Sequence, residues 1–513
     1  MSARDSAKLR AEARDSAKLR AGARNFAKLR AGALALALAA APLLSSAAQE
    51  AAQPVAPSAP SASSSADSSD DSLFGAETVT QSNTDPAVSA PQKDFLKYDV
   101  TKVGGRIDGT LGWALSWGDP WVKGIDLASP DARSLSPALS GAVKITAKPS
   151  TDFGVNMQFR TSNPFSTSET VLSSASYVTV PSAGVTTSST TFSIPNISVW
   201  SLYSQFSWND TFNFSFGKQP LAWGVSASYF QPANDIFALS AVDYTNTGAE
   251  RQGPIAFKAQ YGIPLTMTNF YFYAGVPDKT GLDLGDLRIA AKAETNIGNT
   301  EMAAGAYYAY NDYPRALLEA TTGFGNLNFF GEAIGKWGSE RYFLSPGFPL
   351  PSGAQKADQL WFSGTVGGYY IDGDNNITIS ASYFYNGEGQ TGVTALEAFQ
   401  YFSANSSEAD RMHFGTHYAS ASFTKTKLLV DNLSVSVYAL GDLSDQSYMV
   451  VPSVTWQFFD YLSLAIGSTM TFGPDGSEYP TLASMGLAAV NTALLGKPSA
   501  SISITATMGS GAF

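Results

Sequence analysis

From about residue 103 to near the C-terminus, apolar side chains alternate with polar or small ones in segments of roughly ten residues. Ile107, Leu111, Trp113, Leu115 and Trp117 share one parity, and Arg106, Asp108, Thr110 and Ser116 share the other. Phe153, Val155, Met157 and Phe159 stand against Asn156, Gln158 and Arg160 in the same way. A period of two puts each set on its own face of a β-strand, so every segment has one apolar and one wet face. If the apolar face meets lipid and the wet face a lumen, the chain is an all-β transmembrane antiparallel β-barrel.

The connections sharpen this reading. Candidate strands run 103–117, 139–149, 152–161, 196–208, 211–220, 254–262, 266–275, 286–296, 299–311, 315–324, 326–336, 358–371, 375–386, 412–424, 432–442, 446–458, 461–472 and 499–511. That is about 18 strands, with 16 as the other even count the boundaries admit. Turn residues follow every even-numbered segment: Pro149-Ser150, Asn209-Asp210, Ile263-Pro264, Gly298, Gly325-Asn326, Asp372-Gly373-Asp374, Lys427 to Asp431, and Asp460. Long connections follow most odd-numbered ones: 118–138, 162–195, 221–253, 337–357, 387–411 and 473–498. The odd connections near Asp312-Tyr313 and Ser444-Asp445 are short. Outer-membrane barrels carry this rhythm, and an even strand count leaves both termini periplasmic. A large soluble β protein predicts neither the rhythm nor aromatic residues at strand ends, where Trp113, Trp117, Trp208, Trp337, Phe459 and Tyr461 suit interface girdles.

Composition agrees with one large β unit. There are 45 Gly, 31 Phe, 23 Tyr and 9 Trp, only 15% of residues are charged, and mean hydropathy is −0.05. Past residue 50 no stretch approaches the ~18–20 apolar residues of a spanning helix. No cysteine is present, which excludes disulfides, thiolate nucleophiles and Cys-based metal sites. Two histidines leave little for general-base chemistry near neutral pH. His413 and His417 would stand roughly 13 Å apart on a strand, too far to share one ion. No Ser/His/Asp set stands out, so neither an enzyme nor a metal or other cofactor is expected. Formal charge is −11, and removing residues 1–32, with nine Lys+Arg and three Asp+Glu, leaves about −17. That balance argues against nucleic acid as a partner.

Residues 1–48 read as a signal peptide with an extended n-region. A run from Ala3 to Ala11 recurs from Ala13 to Ala21 and, varied, from Ala23 to Ala31. An apolar stretch continues to about Leu44, and Ser46-Ala47-Ala48 supplies the cleavage site. Residues 49–98, rich in Ala, Ser, Pro and Gln, read as a disordered periplasmic linker. The barrel is assigned to 99–513.

With apolar faces outward, the lumen positions include Arg106, Asp108, Lys144, Lys148, Gln158, Arg160, Asn213, Lys258, Gln260, Arg288, Lys292, Glu294, Glu332 and Lys336. Basic residues are prominent in the first half, and the acidic excess sits largely in loops and linker. A basic wall facing acidic loop residues would set up a transverse field that favours small polar solutes.

Signal peptide, amphipathic strands and a closing strand with a terminal aromatic together resemble the outer-membrane porins of diderm bacteria. In that pattern the terminal aromatic is in phase with the apolar face. Here Ile502, Ile504, Ala506 and Met508 have one parity and Phe513 the other, so a bulge near Gly509-Ser510-Gly511 is required. A local likeness joins Gly217-Lys218-Gln219-Pro220-Leu221-Ala222-Trp223-Gly224 to Phe230-Gln231-Pro232-Ala233-Asn234-Asp235 and Glu250-Arg251-Gln252-Gly253-Pro254. This pattern resembles uncharacterised porin-like barrels, and it brackets the third long loop, which in porins folds inward and narrows the channel. Phe230, Ile236, Phe237 and Leu239 would give the loop an apolar side, while Asp235, Asp243, Glu250 and Arg251 face water. An exposed loop or external lid fits the same residues. The resemblance implies passive diffusion of small polar solutes through the outer membrane. It also implies outer-membrane lipid and the barrel-assembly machinery as partners, and trimeric assembly of the kind common in porins of this size. Two alternatives stand beside it: a channel for hydrophobic or aromatic compounds, and a surface structural or host-interaction protein with binding loops.

Overall fold

The computed structural model describes residues 101–509 except 174–187, 210, 222, 225–229, 231–252, 265, 279–280, 310–312, 340, 347–351, 356–357, 391, 405–413 and 489–490. The expected signal peptide, the linker and Phe513 lie outside the described residues. Eighteen strands form one sheet: β1 (Thr101–Gly118), β2 (Ala132–Ala147), β3 (Phe153–Ser173), β4 (Ser188–Trp208), β5 (Phe212–Lys218), β6 (Ile255–Gly262), β7 (Asn269–Val276), β8 (Arg288–Ile297), β9 (Thr300–Ala309), β10 (Arg315–Phe324), β11 (Leu327–Trp337), β14 (Leu360–Asp372), β15 (Ile377–Tyr385), β16 (His417–Lys425), β17 (Leu433–Asp442), β18 (Ser447–Phe459), β19 (Leu462–Phe472) and β20 (Ser499–Gly509). The other two strands, β12 (Tyr342–Ser345) and β13 (Ser352–Gln355), pair only with each other, as a hairpin between β11 and β14. Each barrel strand pairs antiparallel with the next, and β20 returns to β1 through Trp113–Ile504 and Ser116–Ser501, so the sheet closes.

Residues opposite one another in an antiparallel pair lie on one face, so the register can be followed round the ring. Lys258 faces Tyr273, which faces Ala290, then Tyr307, Arg315, Lys336 and Trp361. This is the inner face. The opposite parity carries Ile107, Leu111, Phe216, Phe272, Leu318, Phe329, Phe362, Ile379, Ile466 and Ile504, all exposed. An apolar belt running round a whole molecule has no place in water. In hydrocarbon it is required, and closure satisfies every ladder hydrogen bond there. The fold is therefore a transmembrane antiparallel barrel of 18 strands.

Short turns gather at one end, which also holds Thr101 of β1 and Gly509 of β20; the long connections gather at the other. Aromatic rings crowd the short-turn rim. Trp208 packs on Phe212 at 5.6 Å, Phe212 on Tyr261 at 4.8 Å, and Trp456 stacks on Phe458 at 4.3 Å. Trp113, Trp208, Trp337, Phe459 and Tyr461 are exposed, as a girdle requires. Trp117 is not: residues after β1 fold over it, and its indole N–H donates to the Asp126 carbonyl at 2.8 Å.

Three long connections hold more structure than their sequences suggest. In place of a loop over 162–195, β3 and β4 continue as a paired ribbon, Ser166 opposite Pro195 and Ser173 opposite Ser188. Its Ser/Thr-rich sequence carries no apolar alternation, so the pairing is not marked in the sequence. The register shifts between Thr161 and Ser166, and there Asn163 accepts from the Leu139 N–H at 2.6 Å while Asn196 donates to the carbonyls of Ser162 and Pro164. The connections 386–416 and 473–498 hold the helices Ala395–Ala404 and Glu478–Ala488.

Two adjacent residues of β20 test the face assignment. Ile504→Arg puts a cation into the belt and should cost about 2–4 kcal/mol, as cations near the bilayer midplane do, in urea-titrated folding into vesicles. Ser503→Arg, on the inner face, should leave the midpoint nearly unchanged. Equal losses would reverse the assignment.

Candidate functional site

The chain between β5 and β6 enters the interior through a pinched neck. Gly217 has φ 132°, and a Cβ there would stand 2.2 Å from the Leu202 carbonyl oxygen, so β5 can turn inward only at glycine. Lys218 is tied to Asp278 at 2.6 Å. The Gln219 N–H donates to the Pro254 carbonyl at 3.1 Å, its side-chain amide donates to the Ala256 carbonyl at 2.8 Å, and its side-chain oxygen accepts from the Ser215 hydroxyl at 2.6 Å. Gly253 crosses beneath: a Cβ would lie 1.6 Å from the Gln219 carbonyl oxygen. Gly217, Lys218, Gln219, Gly253 and Pro254 of the local sequence pattern are thus parts of this clamp.

Two aromatic anchors follow. Trp223 is buried among Tyr271, Tyr273, Ala290, Tyr307, Leu317 and Ile334, with its ring 5.2 Å from that of Tyr273 in an edge-on contact. All six belong to the inner face of β7 to β11. Phe230, fully buried, stacks on Phe384 at 5.3 Å and packs on Tyr418 at 5.6 Å, and its carbonyl accepts from the Thr365 hydroxyl at 3.0 Å. Phe384 and Tyr418 stand on β15 and β16, close to half-way round the ring from the neck. Trp223 and Phe230 therefore both sit inside the barrel, on separate parts of its wall, and an external lid is excluded at these two residues. Asp235, Asp243, Glu250 and Arg251 lie outside the described residues.

Other connections close over the same end. Tyr479, on the helix Glu478–Ala488, joins Phe230, Tyr438, Leu440, Met449 and Val451 in one apolar cluster. The buried Glu478 carboxylate accepts from the Tyr418 hydroxyl at 2.7 Å and from the Phe414 N–H at 3.1 Å, linking its connection to β16 and to the connection that precedes β16. At the β11 mouth Lys336 pairs with Glu388 at 2.7 Å, Arg341 donates to the Glu388 carbonyl at 3.2 Å, and the Ser339 hydroxyl donates to the Glu388 carboxylate. Burial alone would push the Glu388 carboxyl up. The cations Lys336 and Arg341 outweigh that and hold it below its ordinary value.

The inner wall carries charges of both signs, and the loop carboxylates of the expected wall-to-loop field lie outside the described residues. Lys292 bridges Glu294 at 3.3 Å and Glu319 at 2.8 Å, so carboxylates stand on the wall beside the lysine. Glu332 faces Glu319 across the β10–β11 ladder. Lys258 lies over the rings of Tyr271 at 5.2 Å and Tyr273 at 5.9 Å, and Arg315 over Tyr307 at 5.2 Å. Arg288 stands on the inner face at the long-connection end of β8, opposite Gly275 and Ala309. Arg106, Lys144 and Arg160 stand together on the inner face of β1 to β3. Lys148 lies one residue beyond β2, exposed near the turn, and is not part of the wall. His417 faces outward and shares a 2.6 Å hydrogen bond with the Tyr383 hydroxyl, while His413 lies outside the described residues. Among the described residues no cluster of three or more metal-ligating side chains occurs.

The sequence did not single out the second arc of the wall. From β15 to β20 its lower inner face is hydroxyl after hydroxyl. Ser380 meets Ser422 at 2.6 Å, Ser382 meets Ser420 at 2.5 Å and Ser436 meets Ser453 at 2.8 Å, each across a strand pair. Ser501, Ser503, Thr505 and Thr507 of β20 continue it. The usable signal was Ser/Thr confined to one parity of consecutive strands.

No family model matches the chain, and no curated protein matches it. Solved structures do. A BenF-like porin from Pseudomonas fluorescens Pf-5 is 8% identical, with 81% of this chain and 99% of that chain covered and a TM-score of 0.44. Pseudomonas aeruginosa OccK11 (OpdR) is 7% identical, with coverage of 79% and 95% and a TM-score of 0.43. Salmonella typhi OmpF, in a complex with daunomycin, is 8% identical, with coverage of 80% and 97% and a TM-score of 0.38. Likeness at this level concerns barrel architecture and says nothing of what passes through this chain.

Two predictions follow from the neck and the mouth. Gly253→Val should expel Gln219 from its clamp and expose 221–253 to limited proteolysis of the folded barrel, where the wild type resists; equal resistance would contradict the clamp. Glu388→Gln leaves Lys336 without its charged partner and should cost about 3 kcal/mol at neutral pH, the scale for breaking a buried pair. Because the folded carboxyl titrates below its ordinary value, its stabilisation is present above the unfolded pKa and lost as pH falls through the folded one. The gap between wild type and variant in thermal unfolding should therefore close in acid below the ordinary carboxylate range. A gap independent of pH would contradict the ion pair.

Proposed function

We propose that the protein is an outer-membrane channel for passive diffusion of small polar solutes. The observation that carries this reading is the contrast of faces: an apolar belt outside, and inside a wall of hydroxyls and charges on which Trp223 and Phe230 pack. A wall of this kind holds water and offers exchangeable hydrogen bonds to a polar solute. A path for hydrophobic compounds has less support, because the inner aromatic residues Tyr271, Tyr273, Tyr307 and Phe384 are already packed under Trp223 and Phe230.

In this reading the short-turn end, with Thr101 and Gly509, faces the periplasm, and the covered end faces outward. Lipid contacts the belt, the barrel-assembly machinery receives the chain, and a homotrimer is the expected assembly. The anchored connection sets the width of the passage. Replacing both anchors, Trp223→Ala with Phe230→Ala, should free it from both walls and speed the swelling of liposomes in small sugars several-fold, with larger sugars admitted as well. A folded wild-type barrel with no swelling at any sugar size would refute the channel, and an unchanged size limit in the double variant would refute the role of the connection.

A further inference from the structure

At the long-connection rim the outer face carries aromatic side chains of its own. Tyr308 stands near the end of β9, Trp337 and Tyr385 end β11 and β15, and Tyr448 stands near the start of β18, all exposed. The register puts them on the apolar parity, Tyr308 opposite Ile289 and Tyr448 opposite Phe472. At the seam this ring is interrupted. Trp117 of β1 has the same parity, opposite Ala500 of β20, yet it is only 3% exposed. It is covered by the start of the β1–β2 connection, residues 119–127, which lies on the outer face instead of over the mouth.

Several contacts pin this segment. The Asp119 N–H donates to the Pro498 carbonyl at 2.7 Å, and the Trp117 indole N–H to the Asp126 carbonyl at 2.8 Å. The Trp121 ring stacks on Phe472 at 4.6 Å, and its indole N–H donates to the Thr471 carbonyl at 2.8 Å. The segment thus leaves β1, passes β20 and lands on β19, strapping the closing seam from outside. Its polar groups are satisfied within it. The Val122 and Lys123 amides donate to the Asp119 carbonyl, and the Gly124 amide to that of Pro120. The Asp131 carboxylate accepts from the Gly118 N–H at 2.8 Å, and that of Asp126 from the Ala128 N–H at 2.9 Å. Outward it presents Trp121, Val122, Ile125 and Leu127, with Val122 80% and Leu127 64% exposed. On the same face, nearer the middle of the barrel, lie exposed Leu111 and Trp113 of β1 with Leu135 and Leu139 of β2.

A segment that is apolar outward and hydrogen-bonded inward fits the boundary between headgroups and acyl chains, where Trp is a favoured side chain. We propose that residues 119–127 form an interfacial anchor whose partner is the lipid surface at the long-connection rim. Trp121 takes the girdle position that Trp117 gives up, and Val122, Ile125 and Leu127 enter the upper acyl chains. Level and continuity select lipid over a second copy of this chain. The segment stands at the height of the aromatic ring formed by Trp337, Tyr385 and Tyr448, and it continues the belt, which faces hydrocarbon. The anchor rests on the transmembrane barrel and is independent of what passes through it.

The chain has no cysteine, so Val122→Cys and Leu127→Cys each create one labelling site, and both side chains are exposed enough to carry a fluorophore without disturbing the fold. Each labelled barrel is folded into phosphatidylcholine vesicles whose lipids bear a nitroxide quencher either at the headgroup–acyl boundary or deep in the acyl chain. Iodide on both sides of the bilayer is the aqueous quencher. Ile466→Cys in the belt and Asp374→Cys in the short turn after β14 calibrate the lipid and water extremes. Heat-shifted gel mobility checks that each barrel is folded. Both labels of the segment should be quenched more by the shallow nitroxide than by the deep one, and iodide should quench them several-fold less than it quenches the Asp374→Cys label. Iodide quenching equal to that of Asp374→Cys, with no quenching by lipid, would place the segment in water and overturn the anchor. Protection from iodide without quenching by either nitroxide would mean that protein, such as a second copy, covers the segment, and would overturn it equally. A folded barrel whose Ile466→Cys label is not quenched by lipid would instead overturn the transmembrane reading.

Discussion

Closure of the hydrogen-bond ladder is the condition on which the rest of the structure depends. In hydrocarbon an unpaired backbone N–H or C=O has no water to turn to and costs several kcal/mol. A sheet survives there only if its last strand meets its first. Here that seam is β20 on β1, from Asp108–Gly509 to Gly118–Ser499. Closing the ring with each strand antiparallel to the next requires an even number, and an even number brings both barrel ends to the short-turn rim. Parity does the rest: once one residue is known to face lipid, the ladder assigns every other residue to belt or interior.

Because lipid asks only that alternate residues be apolar, the other parity is free to specialise by sector. One sector, β6 to β11, pairs its charges and stacks its tyrosines. A second, β15 to β20, is lined low down by short hydroxyl side chains that satisfy one another across strands. Satisfied short side chains take little room, whereas stacked tyrosines with Trp223 take much. Inner-face composition therefore differs from sector to sector, and Trp223 and Phe230 pack where large side chains can receive them.

The barrel was legible in the sequence because its determinants are local. Each of the eighteen expected segments corresponds to one strand, even 315–324, where β10 spans Arg315–Phe324. The two short odd connections also fall where expected, after β9 and β17. Legibility failed where neither face is apolar or where a partner is distant. The β3–β4 ribbon beyond Ser166 and the β12–β13 hairpin stand outside the belt, so no alternation marked them. The neck pattern from Gly217 to Trp223 was visible as a pattern. That Gln219 grips Ala256, and that Phe230 reaches Phe384 and Thr365, depends on ring geometry that no local spacing encodes. Trp117 has girdle spacing but is covered by a fold of the following residues, which likewise cannot be read from its own strand.

Charge was the least legible property, and the reason is physical. The sequence gives the sign at each position but not the distance between charges, and distance decides whether a cation contributes to a field or is cancelled in place. Lys292 and Lys144 look alike in the alternation, each an inner-face lysine in the middle of a strand. Lys292 has Glu294 on its own face two residues away and Glu319 on β10, two strands across. Lys144 has Gly104 and Gln158 as ladder neighbours and, among the described residues, no carboxylate paired with it. The field inside the barrel is therefore set less by the number of lysines and arginines than by which of them have a carboxylate beside them, as Lys292 does.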